Sequence, residues 1–495
     1  MPLIWLLYYG DVGIAPWEWL LGIIYLIVLY LYFGRVKRMN VKQRPEYRHF
    51  LWGLYAKVAG GAAFSLVYFY YYGGGDTIMY FYSAVSMGHL AQADPLAFLQ
   101  VLFGPNDLAH LNLFSGMEHR PYGYMFYDAH SFMVIRMITP LVLLSMGSYV
   151  VTTLLLSSIC YIGIWRCYRT FVGYFPSLTD QFAIAFLYMP SLIFWGSGIM
   201  KDTLTLSAAC WWVHCFDHVI FKRRDRLYNS VGLAVAGAVL ILLKPYIFMV
   251  LMPMTLLWAL YFPVSGIRNR MLRTVILPLV LVVLGFSAYR ILDLLGGSLG
   301  KFGLEEAMTT TVVLQEDMKR SEQYGTNYFD IGPMENSLKG MLVKFPVAAN
   351  AALFRPYLWE SGNVVMALSA LENAWLMGLA CLVAWRARGW FVLRCMTGNP
   401  LVMMCMLFAL MFGYIIGLTT PNFGALVRFK IPLIPFLVSG LYIIGWLNRR
   451  RLEAVHHNRR FDMHAYRSGE TLIAQGRQTS LKPYRATNAG QRADR

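Results

Sequence analysis

LWGLYAKVAGGAAFSLVYFYYYGGGDT, residues Leu51–Thr77, joins an apolar stretch, an aromatic run, three glycines and a carboxylate. A helix of about 20 apolar residues covers the roughly 30 Å of hydrocarbon in a bilayer, and Leu51 to Tyr72 has that length. Its last residues, Tyr68-Phe69-Tyr70-Tyr71-Tyr72, form the kind of aromatic cluster that gathers where lipid meets water. Asp76 is therefore expected just past the headgroup level, where an acid is costly to desolvate and marks a functional position.

Working outward, the composition fits this reading. Of 495 residues, 58% are hydrophobic and 14% charged, which describes a polytopic membrane protein and not a soluble core. The net charge of +17 falls in short basic clusters between apolar stretches, a pattern that orients helices in a membrane, so nucleic acid is not an expected partner. Met1 to Gly10 has neither a basic n-region nor a small-residue cleavage site, so the first span is expected to be retained. The seven cysteines (Cys160, Cys167, Cys210, Cys215, Cys381, Cys395 and Cys405) lie in expected spans or on the cytoplasmic side, where they read as small apolar residues and not as disulfide or zinc partners.

About eleven windows of roughly 17 to 22 apolar residues recur along the chain. They run Trp17 to Phe33, Leu51 to Tyr72, Met146 to Trp165, Gln181 to Gly198, Thr203 to Phe221, Ser230 to Lys244, Tyr246 to Phe262, Thr274 to Ile291, Val364 to Trp385, Pro400 to Leu418 and Ile431 to Trp446. Alternate connections are basic, among them Arg35 to Arg44, Arg166 and Arg169, Lys222 to Arg226, Arg268 to Arg273, Arg386 to Arg394, and Arg449-Arg450-Arg451. These are expected in the cytoplasm. The other connections hold most of the acids, which puts the N-terminus outside and the C-terminus inside. The fold class expected is thus an all-α polytopic membrane protein with a multi-span domain over residues 1–447. A basic tail over 448–495 is expected to be cytoplasmic and partly disordered, with its arginines near anionic lipid.

Two outer connections, residues 73–145 and 292–362, are too long to be simple turns. Their periodic apolar stretches, Phe132 to Leu144 and Met341 to Phe354, predict amphipathic helices on or dipping into the outer interface.

Three constellations on that face can carry chemistry. In Gly75-Asp76-Thr77, the acid reads either as a general base at a cavity mouth, with Tyr80 on its helical face, or as a helix N-cap. In Met189 to Asp202, a span turns at Gly196-Ser197-Gly198 and returns with Lys201-Asp202, either a buried charged site or a snorkelling lysine beside a capping aspartate. The third is basic and interleaved with aromatics: Lys244-Pro245-Tyr246, Arg355 to Glu360, and Arg428-Phe429-Lys430. Arginine forks and lysine point charges suit phosphate, although lipid anchoring is the plainer reading. His119 and His130 with Asp128 are the candidate ligands for a metal, but no spacing such as HExxH accompanies them, and they read as ordinary histidines.

Nucleotide-activated donors are made in the cytoplasm, so a transferase facing outward needs an activated group carried by lipid. A polyprenyl phosphate sugar fits: an acid deprotonates the acceptor hydroxyl, and arginine or lysine stabilises the departing phosphate. The order of motifs resembles the GT-C superfamily of integral membrane glycosyltransferases. Asp76 in Gly-Asp-Thr-x-x-Tyr corresponds to the acid that opens the first large outer loop of its members, and Asp202 resembles their second acid in a later outer loop. Leu426 to Phe436, LVRFKIPLIPF, is similar to the Arg-Tyr-x-x-Pro-x-x-Pro-Phe run before a terminal span. Two departures stand out: an additional helix, Trp17 to Phe33, precedes the first acid, and that acid is single where many members carry a pair.

The resemblance implies transfer of a sugar from a lipid-linked donor to a glycan, lipid or protein acceptor in the bacterial inner (plasma) membrane. Asp76 and Asp202 would then be the catalytic acids, and Tyr80, Lys201, Lys244, Arg355, Glu360, Arg428 and Lys430 the substrate-side residues. Some members use a divalent cation. An O-antigen-type polymerase or ligase would share the surface chemistry. A flippase of lipid-linked sugars would be expected to show mid-bilayer charges and internal repeats, and a scaffold would need no site at all.

Overall fold

The computed structural model describes residues 13–265 except Glu118, residues 328–332 and 337–456, and isolated positions between 275 and 313. Among these the chain is helical, with one isolated bridge between Tyr328 and Asn422. The principal helices, in chain order, begin with α1 (Pro16–Asn40), α2 (Phe50–Leu66), α3 (Asp76–Ala93), α4 (Ala129–Leu144) and α5 (Tyr149–Tyr174). They continue with α6 (Pro190–Phe194), α7 (Lys201–Asp217), α8 (Arg226–Leu243), α9 (Pro245–Ser265) and α10 (Phe345–Phe354). The last four are α11 (Val364–Gly398, bent at Arg388), α12 (Pro400–Thr419), α13 (Phe423–Phe429) and α14 (Ile434–His456).

Seven helices among the described residues are long and apolar enough to cross a bilayer, and eight if α13 and α14, bent by 65°, form one span. This is a multi-pass membrane protein by helix length and composition. The count is smaller than eleven for identifiable reasons. Gln181 to Gly198 breaks before Pro190 into short pieces, α7 has only 17 residues, and Thr274 to Ile291 lies largely outside the described residues. The expected tail of residues 448–495 is described only as far as His456, as the end of α14.

Helix α1 shows how lipid acts as solvent. Leu20, Ile23, Ile24, Ile27, Val28 and Leu31 are all exposed in the bare protein, an apolar surface of the kind that acyl chains cover. Its fixed point is Glu18, which is buried and accepts hydrogen bonds from Ser148 Oγ at 2.9 Å and Tyr149 N at 2.7 Å, at the start of α5. The helices thus begin side by side at one end of the bundle.

The break before α6 is costly in an apolar surrounding, because it frees backbone donors and acceptors that need other partners. Buried charges from two other helices resolve it. At the start of α6, Glu372 of α11 accepts from Ser191 N at 2.7 Å and Ser191 Oγ at 2.6 Å. At its end, Lys57 of α2 donates to the carbonyls of Leu192, at 3.0 Å, and Gly196. An anion at the N-terminus and a cation at the C-terminus match the helix dipole. Gly60 of α2 completes the fit, since a Cβ there would overlap the carbonyl of Ile193.

The two helices expected at the outer interface are packed against the rest of the bundle. In α4, Phe132, Val134, Ile135, Ile138 and Val142 are fully buried in the core. The stretch Met341 to Phe354 divides at Lys344, and α10 packs through small residues, with Gly417 of α12 so close to the Ala348 carbonyl that no side chain would fit between them.

Lys57→Met is expected to orphan two carbonyls and Glu372→Ala two donors, at about 1–3 kcal/mol for each group. Thermal unfolding in detergent should show both losses, with Glu372→Gln milder because an amide oxygen still accepts. Gly60→Ala is expected to lower the monodisperse yield in size-exclusion chromatography, while Gly34→Ala, with open space around its Cβ position, should match wild type.

Candidate functional site

The glycine run does what its composition suggests. Gly73, Gly74 and Gly75 all have positive φ, at +61°, +155° and +122°, so the chain leaves α2 through a backbone route that side-chain-bearing residues rarely take. Gly75 serves as the N-cap of α3, and Asp76 is its first helical residue, making no capping hydrogen bond. The carboxylate is thus not consumed by the helix. It remains 43% exposed and faces Arg428 of α13, with Nη1 at 3.6 Å from Oδ2.

Arg428 is the centre of the cluster. Its Nε lies 4.0 Å from Asp202 Oδ2, and Nη1 is 3.5 Å from the Tyr68 hydroxyl. All three contacts are long for a guanidinium, and Nε is buried without a hydrogen-bond partner. Asp202 differs from Asp76 in its burial and in its second partner. It is 2% exposed, sits in the first turn of α7 without capping it, and holds Lys244 Nζ at 2.5 Å. Lys244, at the junction of α8 and α9, is also buried and lies 3.9 Å from the Phe429 ring centroid. Four distant segments therefore meet in the series Asp76, Arg428, Asp202, Lys244, with the two acids one guanidinium apart.

Tyr80 and Lys201 stand one step away. Lys201 Nζ donates to Asp128 Oδ2 at 3.1 Å, and the same oxygen accepts from Ser131 Oγ at 2.6 Å. The Tyr80 hydroxyl approaches that Ser131 oxygen at 3.4 Å. Burial pushes the Tyr80 phenol well up, so it acts as a neutral hydrogen-bonding group and not as a base.

The remaining sequence candidates form a separate group. Arg355 pairs with Glu360 in a two-pronged contact, Nε lying 3.0 Å and 3.1 Å from the two carboxylate oxygens. Lys430 is buried and donates to Asn373 Oδ1 at 2.6 Å and to the Arg355 carbonyl at 3.1 Å. Their charges are spent on fastening the chain around Arg355 to α11, and no described contact joins them to Asp76 or Asp202.

Metal chemistry does not fit this arrangement. No group of three His, Cys, Asp or Glu side chains gathers among the described residues, and Arg428 occupies the position between Asp76 and Asp202 where a shared cation would stand. His130 is within 2.7 Å of the Leu242 carbonyl through Nδ1.

Tyr68, Asp128 and Ser131 belong to the site but were not singled out for it from sequence. Tyr68 reads there as one of five interfacial aromatics, and Ser131 carries no pattern at all. Beside the site, residues flanking its key positions line a recess of about 180 Å³, including Tyr72, Trp195, Met366 and Val427. No family model, curated protein or solved structure matches the chain.

Proposed function

We propose that the protein is an outward-facing glycosyltransferase that uses a polyprenyl-phosphate-linked sugar, with Asp76 as the general base. The observation that carries this reading is the division of labour between two carboxylates sharing one arginine. Asp76 is exposed and uncapped, whereas Asp202 is buried and bound to Lys244. An accessible carboxylate can take a proton from an acceptor hydroxyl. The buried one holds a cation-rich wall in place.

In the proposed reaction the acceptor oxygen loses its proton to Asp76 and bonds to the anomeric carbon, while the bond from that carbon to the phosphate oxygen breaks. The bonding pair leaves with the phosphate. Arg428, whose contacts to Asp76, Asp202 and Tyr68 are all long, has guanidinium donors to spare for those oxygens. The recess near Tyr72 and Val427 suits part of the lipid tail. The likeness to the GT-C motif order supports the same assignment. In this reading Asp202 is a positioning residue, and Arg355, Glu360 and Lys430 are structural.

The topology belongs to the proposal: about eleven spans in a bacterial inner membrane, N-terminus outside, C-terminus inside, and the Asp76 end outward. It is supported by the segregation of contacts. Asp76, Asp202, Lys244 and Arg428 meet at one end, whereas Asp217 with Lys222 lies at the other end of α7, and Glu46 with Arg169 at the far ends of α2 and α5. A membrane-impermeant maleimide should label Tyr71→Cys in intact cells, and a cysteine placed after Arg449 only once the membrane is opened. The reverse pattern would invert the orientation and remove the lipid-linked donor.

Purified protein given radiolabelled polyprenyl phosphate sugars should lose about 100-fold or more of its turnover in Asp76→Asn, the range expected for a general base. Arg428→Lys should fall as well, because a point charge cannot replace the fork. Equal turnover by wild type and Asp76→Asn would sink the assignment. Movement of labelled lipid across a liposome without sugar transfer would favour a flippase.

A further inference from the structure

A large cavity lies at the opposite end of the bundle from Arg428. Helices α5 and α7 fix this placement: Tyr149 and Asp202, at their starts, sit at the Asp76 end, while Arg169 and Asp217, near their ends, border the cavity region. Its volume is about 1120 Å³, ample for a sizeable organic ligand.

Its wall is chemically lopsided. Arg169, Lys222, Arg223 and Arg224 contribute four fixed cations against a single carboxylate, Glu46, and the rest of the lining sets apolar residues such as Phe221 and Phe262 beside Thr170, Tyr174, His214 and His218. Carboxylates offset part of this excess: Glu46 lies 3.4 Å from Arg169, Asp217, buried behind the wall, engages Lys222 at 2.6 Å, and the exposed Asp225 stands 3.8 Å from Arg224, a long contact that leaves that guanidinium open to solvent. The cations come from two elements separated by some fifty residues, α5 and the turn after α7. Positive-inside orientation asks only that cations stay on one side of a membrane; it does not ask them to converge on one cavity.

The backbone that presents them is unusual. After a wide helical turn at His218–Lys222, both Arg223 and Asp225 adopt left-handed conformations, at φ +50° and +47°, although neither is glycine. Residues with side chains occupy that region seldom, and such strain collects at binding sites. Here it sets Lys222, Arg223 and Arg224 along one rim.

We infer that this cavity binds a phosphate group, carried either by a membrane lipid or by a free phosphorylated molecule, with Arg169, Arg223 and Arg224 as the recognition residues. Guanidinium forks match phosphate oxygens, and Phe221 and Phe262 offer an apolar wall to whatever the phosphate is attached to. The inference does not rest on the transferase reading, since none of these residues belongs to the Asp76 cluster.

The test is thermal unfolding of the purified full-length chain in a neutral detergent at constant ionic strength, titrated with inorganic pyrophosphate or with phosphatidic acid, and with phosphatidylcholine as the zwitterionic control. Wild type should gain stability with phosphatidic acid, and the Arg223→Gln/Arg224→Gln variant should need at least about ten times more for the same gain, corresponding to about 1.4 kcal/mol. Response to phosphatidic acid alone assigns the phosphate to a lipid, and a matching response to pyrophosphate assigns it to the phosphate itself. Lys339→Gln, which removes an exposed cation outside the cavity wall, is the control for loss of positive charge and should respond as wild type does. No gain with either probe, an equal gain in the double variant, or a gain abolished by Lys339→Gln and kept by the double variant would each overturn the inference.

Discussion

Arg428 stands between Asp76 and Asp202, and the candidate site is organised around that placement. A guanidinium with little solvent around it cannot be neutralised by losing its proton, so the fold must bring anions to it. Those anions arrive from the first turn of α3 and the first turn of α7, and Lys244 then balances the second of them. Removing Arg428 or Asp202 would leave a buried charge uncompensated. The cluster therefore fixes how the ends of α3, α7, α9 and α13 meet, and it does so whether or not a substrate is present.

A second set of polar contacts divides the labour with the first. Lys57, Glu372, Asn373 and Lys430 are buried, and all of them act on backbone or on one another: Lys57 and Glu372 on the two ends of α6, Lys430 on Asn373 and the Arg355 carbonyl. In these groups hydrogen-bonding capacity is used up by the fold. Around Arg428 it is not, and the contrast separates the structural charges from those with chemistry left to perform.

The sequence shows the parts of the site that sit beside punctuation. Glycines before Asp76, glycines before Asp202, Pro245 after Lys244 and the Pro432 and Pro435 pair after Arg428 each mark a chain end-point where a charge meets the interface. That these four charges touch could not be read, because their partners are up to several hundred residues apart and pairing across a bundle leaves no period. Glu18, Lys57 and Glu372 were missed for the opposite reason: each is a lone charge in an apolar window, where the average drowns it. Short helices such as α10 were legible as helices, but their packing was not, since a stripe of alanines looks equally at home on an interface and against a glycine. The spans with long uninterrupted windows, α1, α2, α5, α9 and α12, were legible outright, whereas the break before Pro190 had no expected partner.

The two ends of α6 are served on very different schedules. Lys57 is made long before Leu192 and Gly196, so the carbonyl end can be answered as soon as that helix enters the membrane. Glu372 follows Ser191 by 181 residues. Until α11 has been synthesised and inserted, the start of α6 has to find water, lipid headgroups or the translocation machinery as a substitute. The start of α6 is consequently completed only when the C-terminal half of the chain arrives.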